Sequence, residues 1–192
     1  MEAIETLMSE HRNILAAIEA LTAFAEAARR GDEDRAELGR FVRFIKEYAD
    51  AHHHAKEEGV LFEAMVEAGF PRQAGPIGMM LQEHGVGRQY VSVLAALGAQ
   101  AGAWTVEDRE RLDAAANGYA ELLRAHIHKE DAILYPMAEQ RLSGSLVLQV
   151  EAGCAQMEAA AAASGRRAEL EALGRELVTR HVPGLGAERR AS

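Results

Sequence analysis

Four histidines and two glutamates recur at a spacing that suits metal coordination. Glu10-His11 returns as Glu83-His84, and His53 with Glu57 one helical turn on returns as His126 with Glu130, at the same offset along the chain. The surrounding text agrees: Lys56-Glu57-Glu58-Gly59-Val60-Leu61-Phe62 lies over Lys129-Glu130-Asp131-Ala132-Ile133-Leu134-Tyr135, again at that offset. His11 and His53 are as far apart as His84 and His126, so the chain contains two similar helical pairs. Structural zinc prefers four ligands, usually with cysteine, and calcium and magnesium want oxygen alone. A mixed set of imidazole and carboxylate suits iron or manganese. Six protein ligands are too many for one reactive ion, and two carboxylates can bridge a pair. The expectation is two non-haem irons bridged by Glu57 and Glu130 and by an oxo or hydroxo group, with His11, His53, His84 and His126 as the remaining ligands. One open position per ion would then be left for a small molecule.

The elements that must position these residues read as helices. The periodicity predicts helices over about 2–30, 34–67, 73–97 and 105–141, the last opened by a Thr105 cap. Gly31-Asp32, the run Ala68-Gly69-Phe70-Pro71 and the stretch 98–104 separate them. Four glycines and Pro76 make the third helix look loose, and Pro136 should kink or fray the end of the fourth. The midpoints between successive histidines fall at position 32, between 68 and 69, and at 105, all in turns. In an up-down-up-down four-helix bundle this sets the four imidazoles at one level. On a helical wheel, Leu112, Ala115, Tyr119, Leu122, Ile133 and Met137 fall within ~40° of His126, and Val42, Ala49, Val60 and Ala64 within ~40° of His53. These are core stripes, so the polar groups are expected inside, where ionised carboxylates are costly unless paired or bound to metal.

With these residues, the sequence resembles the hemerythrin-like (HHE cation-binding) proteins over about residues 1–141. The resemblance implies an all-α up-down bundle around a di-iron centre that meets O2, NO or peroxide, with the six residues above as ligands. Oxygen-carrying members have a further histidine one turn after the third-helix histidine, where this chain has Arg88. They also use an aspartate shortly after the last histidine; Asp131 stands there, beside Glu130. Internal symmetry with Glu57 favours Glu130, and Asp131 is the alternative. The missing histidine shifts the expectation from reversible oxygen carriage toward sensing, storage or redox turnover. Ferritin-like Glu-x-x-His pairs are absent.

The other candidates carry less. His52, His54 and His128 point away from the site face of an ideal helix and are expected behind the site or at the surface. Tyr119 lies two turns before His126 on the site face, either as core or as a hydrogen-bond donor. Cys154 reads as an inert thiol, and the charge-mixed run 166–180 as a solvated or docking face. Residues 142–182 form a helical extension and 183–192 a frayed tail.

Composition sets the outer limits. The 192 residues include 38 alanines and carry a net charge of −9. That favours helix and argues against nucleic acid as a partner, because phosphate binding needs clustered cations. A single cysteine forms no internal disulfide, and no apolar run approaches the ~20 residues of a membrane span. A cytoplasmic protein with a diatomic or peroxide ligand, and an electron donor or protein partner, is the expectation; the alternative is a sensor or storage module signalling through its C-terminal helices. Whether the protein is an enzyme is left open.

Overall fold

The computed structural model describes residues 1–32, 34–182 and 184, and among them the regular structure is helical, with no strand. The expected tail at 183–192 lies outside the described residues except for position 184. Helix α1 is Glu2–Arg29. After it Gly31 takes a φ of 109°, open to glycine at little cost. Asp34 caps α2 (residues 35–67), its carboxylate accepting from the Glu37 N–H. Helix α3 is Gly75–Ala99, α4 spans residues 106–141, α5 is Ser145–Ala163 and α6 is Arg166–His181. At the start of α4, Thr105 and Asp108 satisfy each other's backbone N–H groups in a capping box.

Helix α1 packs on α4, α4 on α3, α3 on α2 and α2 on α1, closing a ring. Both C-terminal helices pack on α1 and α2. The run 166–180 is therefore only partly solvated: Leu170, Leu173, Leu177 and Val178 join the core of the ring, while Glu169 pairs with Arg43 and Glu176 with Arg40. The close approach of α6 to α2 depends on a missing side chain. A Cβ on Gly174 would lie 2.7 Å from Cε2 of the buried Phe44. Gly174→Ala is expected to cost about 1–3 kcal/mol through overpacking, whereas Gly39→Ala, with nothing within 4 Å of the added Cβ, should be neutral or stabilising. Urea denaturation of the two variants checks the contrast.

Three expectations need correction. Helix α3 runs unbroken through its glycines, and Gly87 lies against the Tyr119 ring, where an added Cβ would make ordinary contact. Pro136 does not fray α4: it follows a wider π-helical turn at Glu130–Leu134 and stands near the start of the α-helical segment Tyr135–Arg141. The same turn displaces the wheel. A π turn holds one extra residue, so beyond it the inward position moves by one. Leu134 is buried and Ile133 is 52% exposed. An equivalent π turn at Glu57–Leu61 in α2 buries Leu61 and leaves Val60 half-buried.

The buried apolar residues form two clusters. One runs from Ile14 and Phe24 to Phe41, Leu123 and Leu177, the other from Ile4 and Leu7 to Leu61, Leu134 and Val150. Between them in sequence on the first three helices, and at the edge of the first cluster on the fourth, lies one of the recurrent histidines.

Candidate metal centre

Each of α1 to α4 delivers one histidine to this layer: His11, His53, His84 and His126, all buried. Glu57 and Glu130 follow one turn after the second and fourth, at the first residue of each π turn, and are fully buried. The six expected residues thus converge. His11 Nε2 lies 3.3 Å from Glu130 Oε2, and His126 Nε2 lies 3.2 Å from Glu130 Oε1. His53 and His84 each bring Nε2 to 3.6 Å from Glu57 Oε2. His84 and His126 approach one another, Nε2 to Nε2, at 3.1 Å.

This packing is unsatisfied as it stands. Glu57 Oε2 and both carboxylate oxygens of Glu130 are buried with no aligned hydrogen-bond partner, although imidazole nitrogens stand close to them. An orphaned buried carboxylate costs several kcal/mol, a cost that a cation bound among these three oxygens would offset. Charge balance shows the same tension. Burial, together with the neighbouring Glu130, pushes Glu57 well above the usual carboxylate range. Glu130 stays well below it, because His126 and His11 outweigh its burial. Burial depresses the His53 imidazole to about 3. Burial acts the same way on His11, but Asp131 and Glu130 overcome it and lift that ring to about 9.

Behind the layer, each imidazole donates Nδ1–H to a carboxylate. His11 pairs with Asp131 (2.7 Å), His53 with Glu10 (2.8 Å), His84 with Glu58 (2.7 Å) and His126 with Glu83 (2.9 Å). Such bonds fix the tautomer and aim Nε2 inward. The partners obey the repeat too: Glu10 matches Glu83, and Glu58 matches Asp131, at the offset that relates the histidines. Asp131 therefore stands behind His11, while Glu130 faces the interior.

Around these residues lie the secondary candidates, together with Lys56 and Tyr135, which the sequence does not single out. His52 and His54 are buried, and only His128 is exposed. His54 stacks on His84 with ring centroids 3.8 Å apart. His52 joins Glu10, Glu158 and the fully buried Lys56, whose ammonium bonds both carboxylates. Those three acid and imidazole groups could otherwise hold an ion of their own, but the ammonium already supplies the cation. Tyr135 donates to Glu57 Oε1 (2.6 Å) and stacks on His11. Its repeat partner is Phe62, a mismatch visible in the sequence. Tyr119 instead lines a cavity of about 430 Å³ with Asp50, His54, His84, Arg88 and Val91. Cys154 is buried and its thiol is pushed up to about 11 by that burial, which keeps it unreactive.

The donors fall into two groups whose ligand atoms lie within 4.8 Å of one another: His11, His53, Glu57 and Glu130, and His54, His84 and His126. Among known proteins, the family model described as the hemerythrin HHE cation-binding domain matches residues 2–138. No curated protein and no solved structure gives a match.

Proposed function

The chain belongs to the hemerythrin HHE cation-binding domain family, and from that premise we propose that His11, His53, Glu57, His84, His126 and Glu130 hold a carboxylate-bridged pair of non-haem irons that binds or reacts with O2, NO or peroxide. The observation that carries this reading is the set of three orphaned carboxylate oxygens faced by four Nε2 atoms. The iron pair supplies Lewis acidity and electrons to the bound small molecule. The protein's part is position and dryness. Glu57 and Glu130 sit between the histidine pairs as bridging ligands, and the Tyr135 hydroxyl steadies Glu57. The four outer carboxylates hold the imidazoles ready to bind. Apolar clusters exclude water from both sides, and the cavity beside His84 offers a route in. Residues 1–141 then form an up-down-up-down four-helix bundle, with 142–182 as its extension.

Anaerobic iron titration of the metal-free chain tests the proposal, followed by separate additions of O2, NO and peroxide under optical spectroscopy. Two irons per chain and a new visible charge-transfer band are expected. Protein that takes up only stoichiometric zinc and no iron pair refutes it.

A second reading, an iron or oxygen sensor acting through the C-terminal helices, is favoured by one contact. Lys56 ties Glu10, the partner of His53, to Glu158 of α5, and Arg167 of α6 bonds Glu158 in turn. Steady consumption of peroxide or NO supports turnover; an iron-dependent change in protease sensitivity of α5 and α6 without consumption supports sensing.

A further inference from the structure

We propose that His54 is a fifth histidine ligand, acting on the metal position shared by His84 and His126. The inference rests on the two-metal reading above. Its first support is place: one nitrogen each of His54, His84 and His126 lies within 4.8 Å of the others, a grouping separate from that of His11, His53, Glu57 and Glu130. Two such groups around one layer mark two ion positions.

The second support is orientation. His54 brings Nδ1 to Asp50 Oδ1 at 3.3 Å, the arrangement that the other four imidazoles make with Asp131, Glu10, Glu58 and Glu83. It leaves Nε2 as the free nitrogen, as in metal-ligating histidines backed by carboxylates. The neighbouring His52 fails this test because its Nε2 is itself taken, 3.1 Å from Glu10 and 3.2 Å from Glu158. His128 fails on exposure.

The third support is bracing. Arg88 grips Asp50 through Nε at 2.9 Å and Nη2 at 2.6 Å, and reaches Glu58 through Nη2 at 2.7 Å. One guanidinium thus holds the carboxylates behind both His54 and His84, whose rings stack at 3.8 Å and 16°. The internal repeat breaks here, since the repeat-related position to His54 is the buried Ile127. The two ions are consequently unequal, one with three imidazoles and one with two.

Cobalt(II) titrated into the metal-free full chain tests this by proton NMR in water. Each imidazole bound through Nε2 to a paramagnetic ion contributes one strongly shifted, solvent-exchangeable Nδ1–H resonance. Five are expected from the wild type, from His11, His53, His54, His84 and His126, and four from His54→Ile, which copies the residue at the repeat-related position. In the same titration His54→Ile should weaken the second cobalt at least about tenfold, while His128→Ala leaves it unchanged. Four resonances in the two-cobalt wild type overturn the inference whether or not the variant folds. An unchanged second-cobalt affinity in folded His54→Ile overturns it equally. If the wild type takes only one cobalt, the two-metal reading itself falls.

Discussion

Replacing Glu57 and Glu130 together by alanine should abolish binding of the iron pair and leave the helices in place. Both carboxylates are fully buried, and three of their four oxygens lack an aligned hydrogen-bond partner. In the metal-free chain their removal relieves a desolvation cost of several kcal/mol and opens two small cavities. These effects oppose each other, so the metal-free melting temperature should shift by only a few degrees. The iron-loaded form should behave differently. A ligand present at ~1,000 times its Kd stabilises by about 4 kcal/mol, which for a chain of this size is roughly 8–16 °C in Tm. That increment should vanish in the double variant. Calorimetry with and without iron, beside metal analysis, reads both quantities. Retention of two irons would sink the assignment of these glutamates as bridges.

Lys56→Met is expected to be the most damaging single change outside the six proposed ligands. The ammonium is fully buried and bonds Glu10 and Glu158. Removing one partner of a buried ionic cluster typically costs about 3–5 kcal/mol, because the remaining charges stay desolvated. Glu10 is held far below the usual carboxylate range against its own burial by His52, His53 and Lys56. Loss of the lysine should also loosen His53 and weaken iron about 10–100-fold. Lys129→Met supplies an internal control. It occupies the repeat-related position on Glu83, but its side chain is 29% exposed, so water screens the pair and its contribution falls toward the ~1 kcal/mol of a surface pair. Urea denaturation and iron titration of the two variants should differ sharply; equal effects would mean that burial of the cluster is not what matters.

Much of this arrangement is legible in the sequence because it is doubled. The internal repeat picks out His53 with Glu57 over His54 with Glu58, and the turns at the histidine midpoints bring all four imidazoles to one layer. The rest depends on geometry that composition does not encode. A π turn adds one residue without any characteristic residue type, so an ideal-helix wheel places Ile133 inside and misses Leu134. His52 and His54 look peripheral because a wheel takes no account of what covers each face. Glu158 of α5 covers the first, and His84 of α3 the second. Arg88 reads as a lost histidine, whereas it anchors Asp50 behind His54. The tyrosine on the site carboxylate is Tyr135, at a place where the two halves differ, since Phe62 stands at the matching position.

The four carboxylate–imidazole bonds join α1 to α2, α2 to α3, α3 to α4 and α4 back to α1. They form a closed hoop, with every helix giving one imidazole and one acid. Alanine-rich helices present smooth, self-similar surfaces, over which one helix can slide by a turn, about 5.4 Å, at little loss of apolar contact. The hoop forbids that sliding, because moving any one helix breaks two of the four links at once. Axial register in this protein is therefore keyed by polar groups, the use of buried polarity best attested in coiled coils. The same keying holds the four imidazoles in one layer.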